Sequence, residues 1–244
     1  MDAKQNSRRN DFINLLWLQD EQKCLEYIDK YDDFYSAISD IHPHKNMLQL
    51  ACECRLKRVA IALIDKKCDL THQTTAGYTA LLYASIYGLT DVVTHIIDNS
   101  QDTVTRSTSG VPDIIYLCCI KDTNNVIKMI DKGYDIYCKP GYSLFTTAIS
   151  NENECIVKKL IDIDLDFIDQ FTTYCAKFDT QPVMYDNIAK YCCGKYDDYK
   201  REIIATMNDT SPTNKSNALY QSFHTTYAVD LVDVICDFLI SRIK

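Results

Sequence analysis

The chain has 244 residues, 46% of them hydrophobic, and a formal net charge of −8. This size and apolar content suit one large domain or one repeat array with end pieces, and they argue against wholesale disorder. The acidic balance argues against a general nucleic-acid binder, since no basic excess exists to neutralise phosphates. The basic pairs Arg8–Arg9 and Lys57–Arg58 read as solvated surface.

Twelve cysteines raise the question of disulfides or zinc. The first residues, Met1 to Phe12, carry no apolar core of a secretory signal, and no apolar run approaches the ~18 residues that span a bilayer. The expected setting is therefore intracellular and reducing, cytoplasmic or nuclear, with no membrane partner and with free, buried thiols. The close sets Cys52/Cys54, Cys118/Cys119 and Cys192/Cys193 make no C-x-x-C knuckle. His42, His44, Cys52 and Cys54 come nearest to a metal quartet, but the two cysteines project to different sides of a helix. No metal and no cofactor is expected.

In chain order, residues 1–40 read as a divergent N-terminal capping unit. Phe12, Leu15 and Leu16 give one apolar face, Leu25 and Ile28 a second, and Trp17, the only tryptophan, reads as a core or cap-packing residue. Residues 41–169 repeat. Leu48, Ala51, Val59 and Ile64 recur 33 residues later as Leu81, Ala84, Val92 and Ile97. A further step of 33 carries Val93 to Val126 and Ile97 to Ile130, and a step of 31 reaches Val157 and Ile161. Each unit joins two short helical stretches, such as Leu81–Tyr87 and Val92–Ile97, across a polar break. Gly88 supplies the left-handed turn that ends the first stretch, and Thr90 or Asp91 is placed to cap the second. Gly77, Gly110 and Gly141 are placed for tight turns in the connectors, and the small Ala51, Ala84 and Ala148 let neighbouring helices approach closely.

Residues 170–244 read as a helical C-terminal region. Thr172–Lys177, Val183–Cys193 and Tyr199–Met207 are separate helical pieces, with Pro182 favouring a helix start. An exposed loop is expected near 208–217, and Ala228–Ile243 forms a last helix with an apolar stripe. Asp162, Asp164, Asp166 and Asp169 fall in a connector and read as solvated surface rather than a calcium loop.

The stretch Gly77-Tyr-Thr-Ala-Leu-Leu-Tyr-Ala-Ser-Ile-Tyr-Gly-Leu-Thr-Asp-Val-Val93 resembles the ankyrin repeat pattern G-x-T-P-L-H-x-A-x-x-x-G-x-x-x-V-V. Lys67-Cys-Asp-Leu70 and Gly133-Tyr-Asp-Ile136 are similar to that family's G-A-D-V element. The resemblance covers Ile41 to Asp169. The family's T-P-L-H tetrad stands here as Asn46-Met-Leu-Gln49, Thr79-Ala-Leu-Leu82, Pro112-Asp-Ile-Ile115 and Ser143-Leu-Phe-Thr146, always without its His. Its first-helix Gly is replaced by Arg55, Lys121 and Glu152. These departures are expected to remove hydrogen bonds that tie adjacent loops together.

The resemblance implies an all-α fold, an ankyrin-repeat solenoid of helix–turn–helix units with a helical C-terminal cap. It implies a non-enzymatic scaffold that binds another protein through its concave face. By the same resemblance the contact positions flank the connector glycine and line the first helix. They are Thr75, Ala76, Tyr78, Ile86, Tyr87 and Thr90 in the best-matched unit, His42, Lys45, Glu53 and Cys54 before it, and Thr108, Ser109, Val111, Ile120, Tyr142 and Asn151 after it. Asp230-Leu-Val-Asp-Val-Ile-Cys-Asp-Phe-Leu239 resembles the opening helix of an F-box, although that pattern's Leu-Pro stands here as Tyr227-Ala228. Some viral ankyrin proteins end in shortened F-box-like segments that recruit ubiquitin ligases. The alternative is thus an adaptor whose C-terminal helix engages ubiquitin-ligase components. An enzyme with a site in 170–244 is a further alternative, but no phosphate loop, G-x-S-x-G elbow or dinucleotide fingerprint occurs.

Overall fold

The computed structural model describes residues 3–104, 107–108, 111–137, 143–177 and 182–208, together with Val232 and Val234. The described chain is mostly helical, with twelve helices and one two-stranded ribbon. It divides into two compact units, Met1–Thr147 and Ala148–Lys244.

In the first unit the helices come in pairs: α1 (Ala3–Trp17) with α2 (Glu21–Lys30), α3 (Met47–Glu53) with α4 (Lys57–Asp65), α5 (Ala80–Ile86) with α6 (Thr90–Asn99), and α7 (Asp113–Cys119) with α8 (Thr123–Asp131). A short antiparallel ribbon, β1 (Ser107–Thr108) with β2 (Val111–Pro112), leads into α7. First helices pack on first helices, α1 on α3, α3 on α5 and α5 on α7, while α2, α4, α6 and α8 form a second row. The in-phase residues fill the space between the rows. Leu48, Ala51, Val59, Ile64, Ala84, Val92, Ile97, Ile114 and Val126 are all buried.

The turn between paired helices is made by the backbone. At the end of α3 the N–H of Leu56 donates to the Ala51 carbonyl and that of Arg55 to Cys52. The same pair of bonds recurs as Leu89 to Ala84 with Gly88 to Ser85, and as Asp122 to Leu117 with Lys121 to Cys118. This Schellman geometry demands a left-handed residue at one place. Arg55 (φ 59°), Gly88 (φ 72°) and Lys121 (φ 61°) fill it. The glycine-free units therefore make the same turn as the glycine unit. Because the turn feeds straight into the next helix, Leu89 is the N-cap of α6 and makes no side-chain cap, so neither Thr90 nor Asp91 serves as expected. Asp20 and Asp122 do cap α2 and α8 through their carboxylates.

Adjacent pairs are tied in two places. On the second-helix row, Glu21 meets Arg58, Asp29 meets Lys66, Lys57 meets Asp91, Asp65 meets His95 and Asp98 meets Lys128. Each such exposed pair contributes at most about 1 kcal/mol, so the row sets register more than stability. Between connectors the tie is Gln49, wholly buried, whose amide donates to the carbonyls of His72 at 3.0 Å and Tyr78 at 2.9 Å. Asn46 donates to the Asp69 carbonyl, and Asn46 and Gln49 close a reciprocal capping box. Further along, the Thr79 hydroxyl donates to Asp113 at 3.1 Å. The expected loss of loop-to-loop bonds is thus corrected at the first connector. Glutamine's longer side chain reaches two carbonyls where the sequence comparison offered none.

Two more expectations change near the N-terminus. Arg9 is not solvated; it is 4% exposed and pairs with Asp40 while donating to the Ile38 carbonyl. Phe12 meets Phe34 at 4.7 Å, and this aromatic cluster closes the end of the unit.

The boundary between the units falls inside α9 (Leu144–Ser150). In the second unit, α10 (Glu154–Ile163) packs on α11 (Asp166–Lys177) and on α12 (Pro182–Asn208). The left-handed turn recurs here at Glu152 (φ 57°). On α12, Met184, Ile188 and Cys192 are buried and share one face of the helix. The separate helical pieces expected between Val183 and Met207 are one 27-residue helix starting at Pro182. Gly194 lies inside it at a cost of about 1 kcal/mol, which packing outweighs. The acidic cluster is divided rather than gathered in a connector: Asp162 belongs to α10, and Asp166 and Asp169 to α11. Gly110, Gly141, the 209–217 part of the expected loop and the segment 228–243, apart from Val232 and Val234, lie outside the described residues.

Candidate functional site

The packing of α3 against α5 gathers much of the anticipated contact set into one surface. Lys45 pairs with Glu53 at 2.6 Å, and its ammonium lies 5.2 Å from the centre of the Tyr83 ring. Tyr83 meets Tyr78 edge-on at 5.8 Å and stacks on Tyr87 at 6.4 Å with an interplanar angle of 11°. Arg55 lies over the outer side of Tyr87 at 5.7 Å. Burial and the nearby Glu53 carboxylate push the Tyr83 phenol up to about 12, so it stays protonated and available as a donor. Burial raises the Tyr87 phenol in the same direction.

Around this core, Thr75 reaches back to the preceding connector. Its N–H donates to the Pro43 carbonyl at 3.2 Å, and its hydroxyl lies 3.5 Å from the His42 ring. Ala76 and Tyr78 are exposed at the connector tip, Ile86 is exposed at the end of α5, and Tyr87 is half-buried. Cys54 and Val111 are half-buried, and Ile120 is exposed. Thr90 sits apart, at the start of α6, where its carbonyl accepts from Thr94 and Asn125 within the second-helix row. Thr108 lies in β1, and Asn151 belongs to the second unit. Ser109 and Tyr142 lie outside the described residues.

Sequence reasoning missed the position of Trp17. It is not a core residue: it is 55% exposed, and Leu18 beside it is 75% exposed. Trp17 and Leu18 fall 36 residues before Glu53 and Cys54, which fall 33 before Ile86 and Tyr87, which fall 33 before Cys119 and Ile120. The exposed large apolar residues Trp17, Leu18, Ile86 and Ile120 therefore fall at two adjacent register positions at the C-terminal ends of α1, α5 and α7, while α3 carries Glu53 and Cys54 there. The first helices run parallel. Thr79 at the head of α5 bonds Asp113 at the head of α7, and Arg55 at the foot of α3 covers Tyr87 at the foot of α5. For α1 and α3 the sense follows from their partners, because Glu21 meets Arg58 at the heads of α2 and α4 and Asp29 meets Lys66 at their feet. Extending the repeat register back into the capping unit was the signal that would have found Trp17.

Three histidines lie near the first connector, where the His42 and His44 rings meet edge-on at 6.1 Å. His72 contacts the His44 carbonyl at 2.7 Å, His44 the Ser39 carbonyl at 3.2 Å, and His95 pairs with Asp65 on the second-helix row. Among the described residues no three His, Cys, Asp or Glu side chains cluster as metal ligands, and no helix is long and apolar enough to cross a membrane. Cys24, Cys52, Cys68, Cys118 and Cys192 are buried free thiols. Burial pushes Cys24 and Cys192 up to about 11 and Cys68 and Cys118 up to about 12, the opposite of an activated nucleophile. No protein-family model matches this chain, and a comparison with curated proteins finds no match.

Proposed function

We propose that this chain is an ankyrin-type repeat solenoid that binds another protein through its first-helix row and connector tips, and that it performs no chemistry of its own. The observation that carries this reading is the recurrence of exposed, large apolar side chains at the C-terminal ends of three of the four first helices of the first unit, α1, α5 and α7. Water-facing apolar residues scattered singly need no explanation, but a recurrence in register does. The tyrosine stack beside those helix ends supports the same reading, since rigid aromatic side chains carry a disproportionate share of interface energy. Helix pairs in two parallel rows, joined by the same left-handed turn, are the construction from which extended concave binding surfaces are made. Among the described residues the buried thiols are raised rather than activated, and the ring nitrogens of His44 and His72 face backbone carbonyls, an arrangement that does not favour an enzyme instead.

The test uses the full chain, tagged and recovered from cells after cross-linking, beside a Tyr78→Ala/Tyr87→Ala variant. The expected result is loss of the captured proteins by at least ~10-fold, as for a typical hot-spot pair. Thermal unfolding should stay within a few degrees, because Tyr78 is exposed and Tyr87 only half-buried. Unchanged capture, or loss of fold in step with loss of capture, would overturn the reading.

A further inference from the structure

We propose that the strip made by the C-terminal ends of α1, α3, α5 and α7 docks an acidic segment of a partner protein that also carries large apolar residues. This rests on the protein-binding reading above and adds the chemistry of the partner. The apolar half of the argument is Trp17, Leu18, Ile86 and Ile120, exposed at the feet of α1, α5 and α7, with Glu53 and Cys54 at the corresponding place on α3. The electrostatic half comes from what stands between these residues. Arg55 and Lys121 occupy the left-handed turn positions at the feet of α3 and α7, and among the described residues neither has an ion-pair partner. Lys57, Arg58, Lys66 and Lys128, all on the second-helix row, each have a carboxylate.

The carboxylates nearest the strip are already engaged. Glu53 is held by Lys45, Asp20 by Lys23, and Asp122 accepts from the Asn125 backbone and amide. The feet of helices carry a partial negative charge, which would oppose an anion. Here the turns already bond the Ala51, Ala84 and Leu117 carbonyls, and that blunts the opposition. On a chain of net charge −8, the strip thus carries two cations without an ion-pair partner, Arg55 and Lys121, against one such carboxylate, Asp122, among the described residues. Charge of opposite sign on the partner raises the encounter rate and fixes register, while the apolar residues supply contact area. A basic partner would meet Arg55 and Lys121 as like charges and be rejected.

The experiment selects phage-displayed random dodecapeptides on the full chain and titrates the recovered peptides, synthesised with a fluorophore, against wild type, Arg55→Glu/Lys121→Glu, Ile86→Asp/Ile120→Asp and a second-helix control, Lys57→Glu. Both strip positions are exposed, so the charge-reversed variant is expected to fold. Arg55→Gln/Lys121→Gln replaces it if its unfolding temperature falls. The expected peptides combine Asp or Glu with Trp, Phe, Leu or Ile. Their affinity drops by about 10-fold or more with either strip variant, is unchanged by Lys57→Glu, and weakens as salt is raised. Neutral or basic peptides that depend on Ile86 and Ile120 alone overturn the acidic partner and leave protein binding standing. Acidic peptides indifferent to both strip variants overturn the location. A dimer of the chain that dissociates on charge reversal overturns the proposal in favour of a second copy. No enrichment over uncoated surface overturns it as well, and the purification from cells then decides the broader reading separately.

Discussion

The left-handed turn can be tested by exchanging residues at a position where the backbone is already known to be the same. Lys121 and Gly88 occupy equivalent turns with φ of 61° and 72° and the same two hydrogen bonds. An L-residue in this region costs roughly 1–2 kcal/mol that glycine does not incur, while glycine gives up about 0.5–1 kcal/mol in extra chain entropy. Lys121→Gly should therefore stabilise the first unit by about 0.5–1 kcal/mol, or raise its unfolding temperature by about 1–4 °C. Gly88→Ala should cost about 1 kcal/mol. A Cβ built on Gly88 meets nothing within 4 Å, so that loss is conformational and not steric. Arg55→Gly should gain less than Lys121→Gly, because Arg55 covers Tyr87 at 5.7 Å and an exposed cation–π contact contributes about 0.5–1 kcal/mol. Urea unfolding followed by circular dichroism, with a constant slope, reads all three differences. The reasoning fails if Lys121→Gly and Gly88→Ala move the midpoint in the same direction.

Gln49→Leu should destabilise the first unit by about 3 kcal/mol, since it removes two buried cross-connector bonds and half of a capping box; a loss under ~1 kcal/mol in urea unfolding would show that the connectors are held otherwise. Stability should also fall in alkali. The thiols of Cys24, Cys68 and Cys118 have a reference value of 9.0, raised by burial to about 11, 12 and 12, so the folded state keeps protons that the unfolded chain releases. Their stabilising contribution is complete below about pH 9 and is lost as pH rises towards 12; a urea midpoint that stays level from pH 8 to 10.5, or one whose slope Cys118→Ala leaves unchanged, would contradict this. A maleimide probe at neutral pH should label the exposed Cys119, Cys155 and Cys193 quickly and Cys24, Cys52, Cys118 and Cys192 only on unfolding. Trp17 fluorescence should be quenched by iodide in the folded chain almost as in urea, whereas strong protection would place the indole in the core.

The helical class and the phase of the core were legible because apolar residues at a fixed spacing have one economical arrangement, a buried seam between two rows of helices. What escaped sequence reasoning was polar and local. Gln49 looked like the loss of a histidine because its reach to two carbonyls depends on the path of the next connector. Arg9 looked solvated because its partners Ile38 and Asp40 lie about 30 residues away. Leu89 displaced Thr90 as the cap because the turn before it sets the helix start through backbone bonds. Of the candidate site, the positions around Tyr78 and Tyr87 could be chosen from the repeat grammar. The buried Tyr83 that joins them required the neighbouring helices to be in place, whereas Trp17 was within reach of the repeat register once that register was carried back into the capping unit.

These local substitutions share a physical cause that bears on function. The turns at Arg55, Gly88, Lys121 and Glu152 are held by main-chain hydrogen bonds, so apart from the contact of Arg55 with Tyr87 their side chains have little structural duty beyond tolerating a positive φ. The neighbouring positions at the feet of the first helices, from Trp17 and Leu18 to Cys119 and Ile120, are likewise outside the buried seam. Side chains freed in this way can drift without loss of fold, and drift alone would fill an exposed turn mostly with small polar residues. Tryptophan, leucine, isoleucine and tyrosine at those places, with arginine and lysine between them, are a costly composition for a water-facing edge. The side chains at these feet are therefore informative, and on the proposed protein-binding reading the edge of the first-helix row is where binding should be sought first.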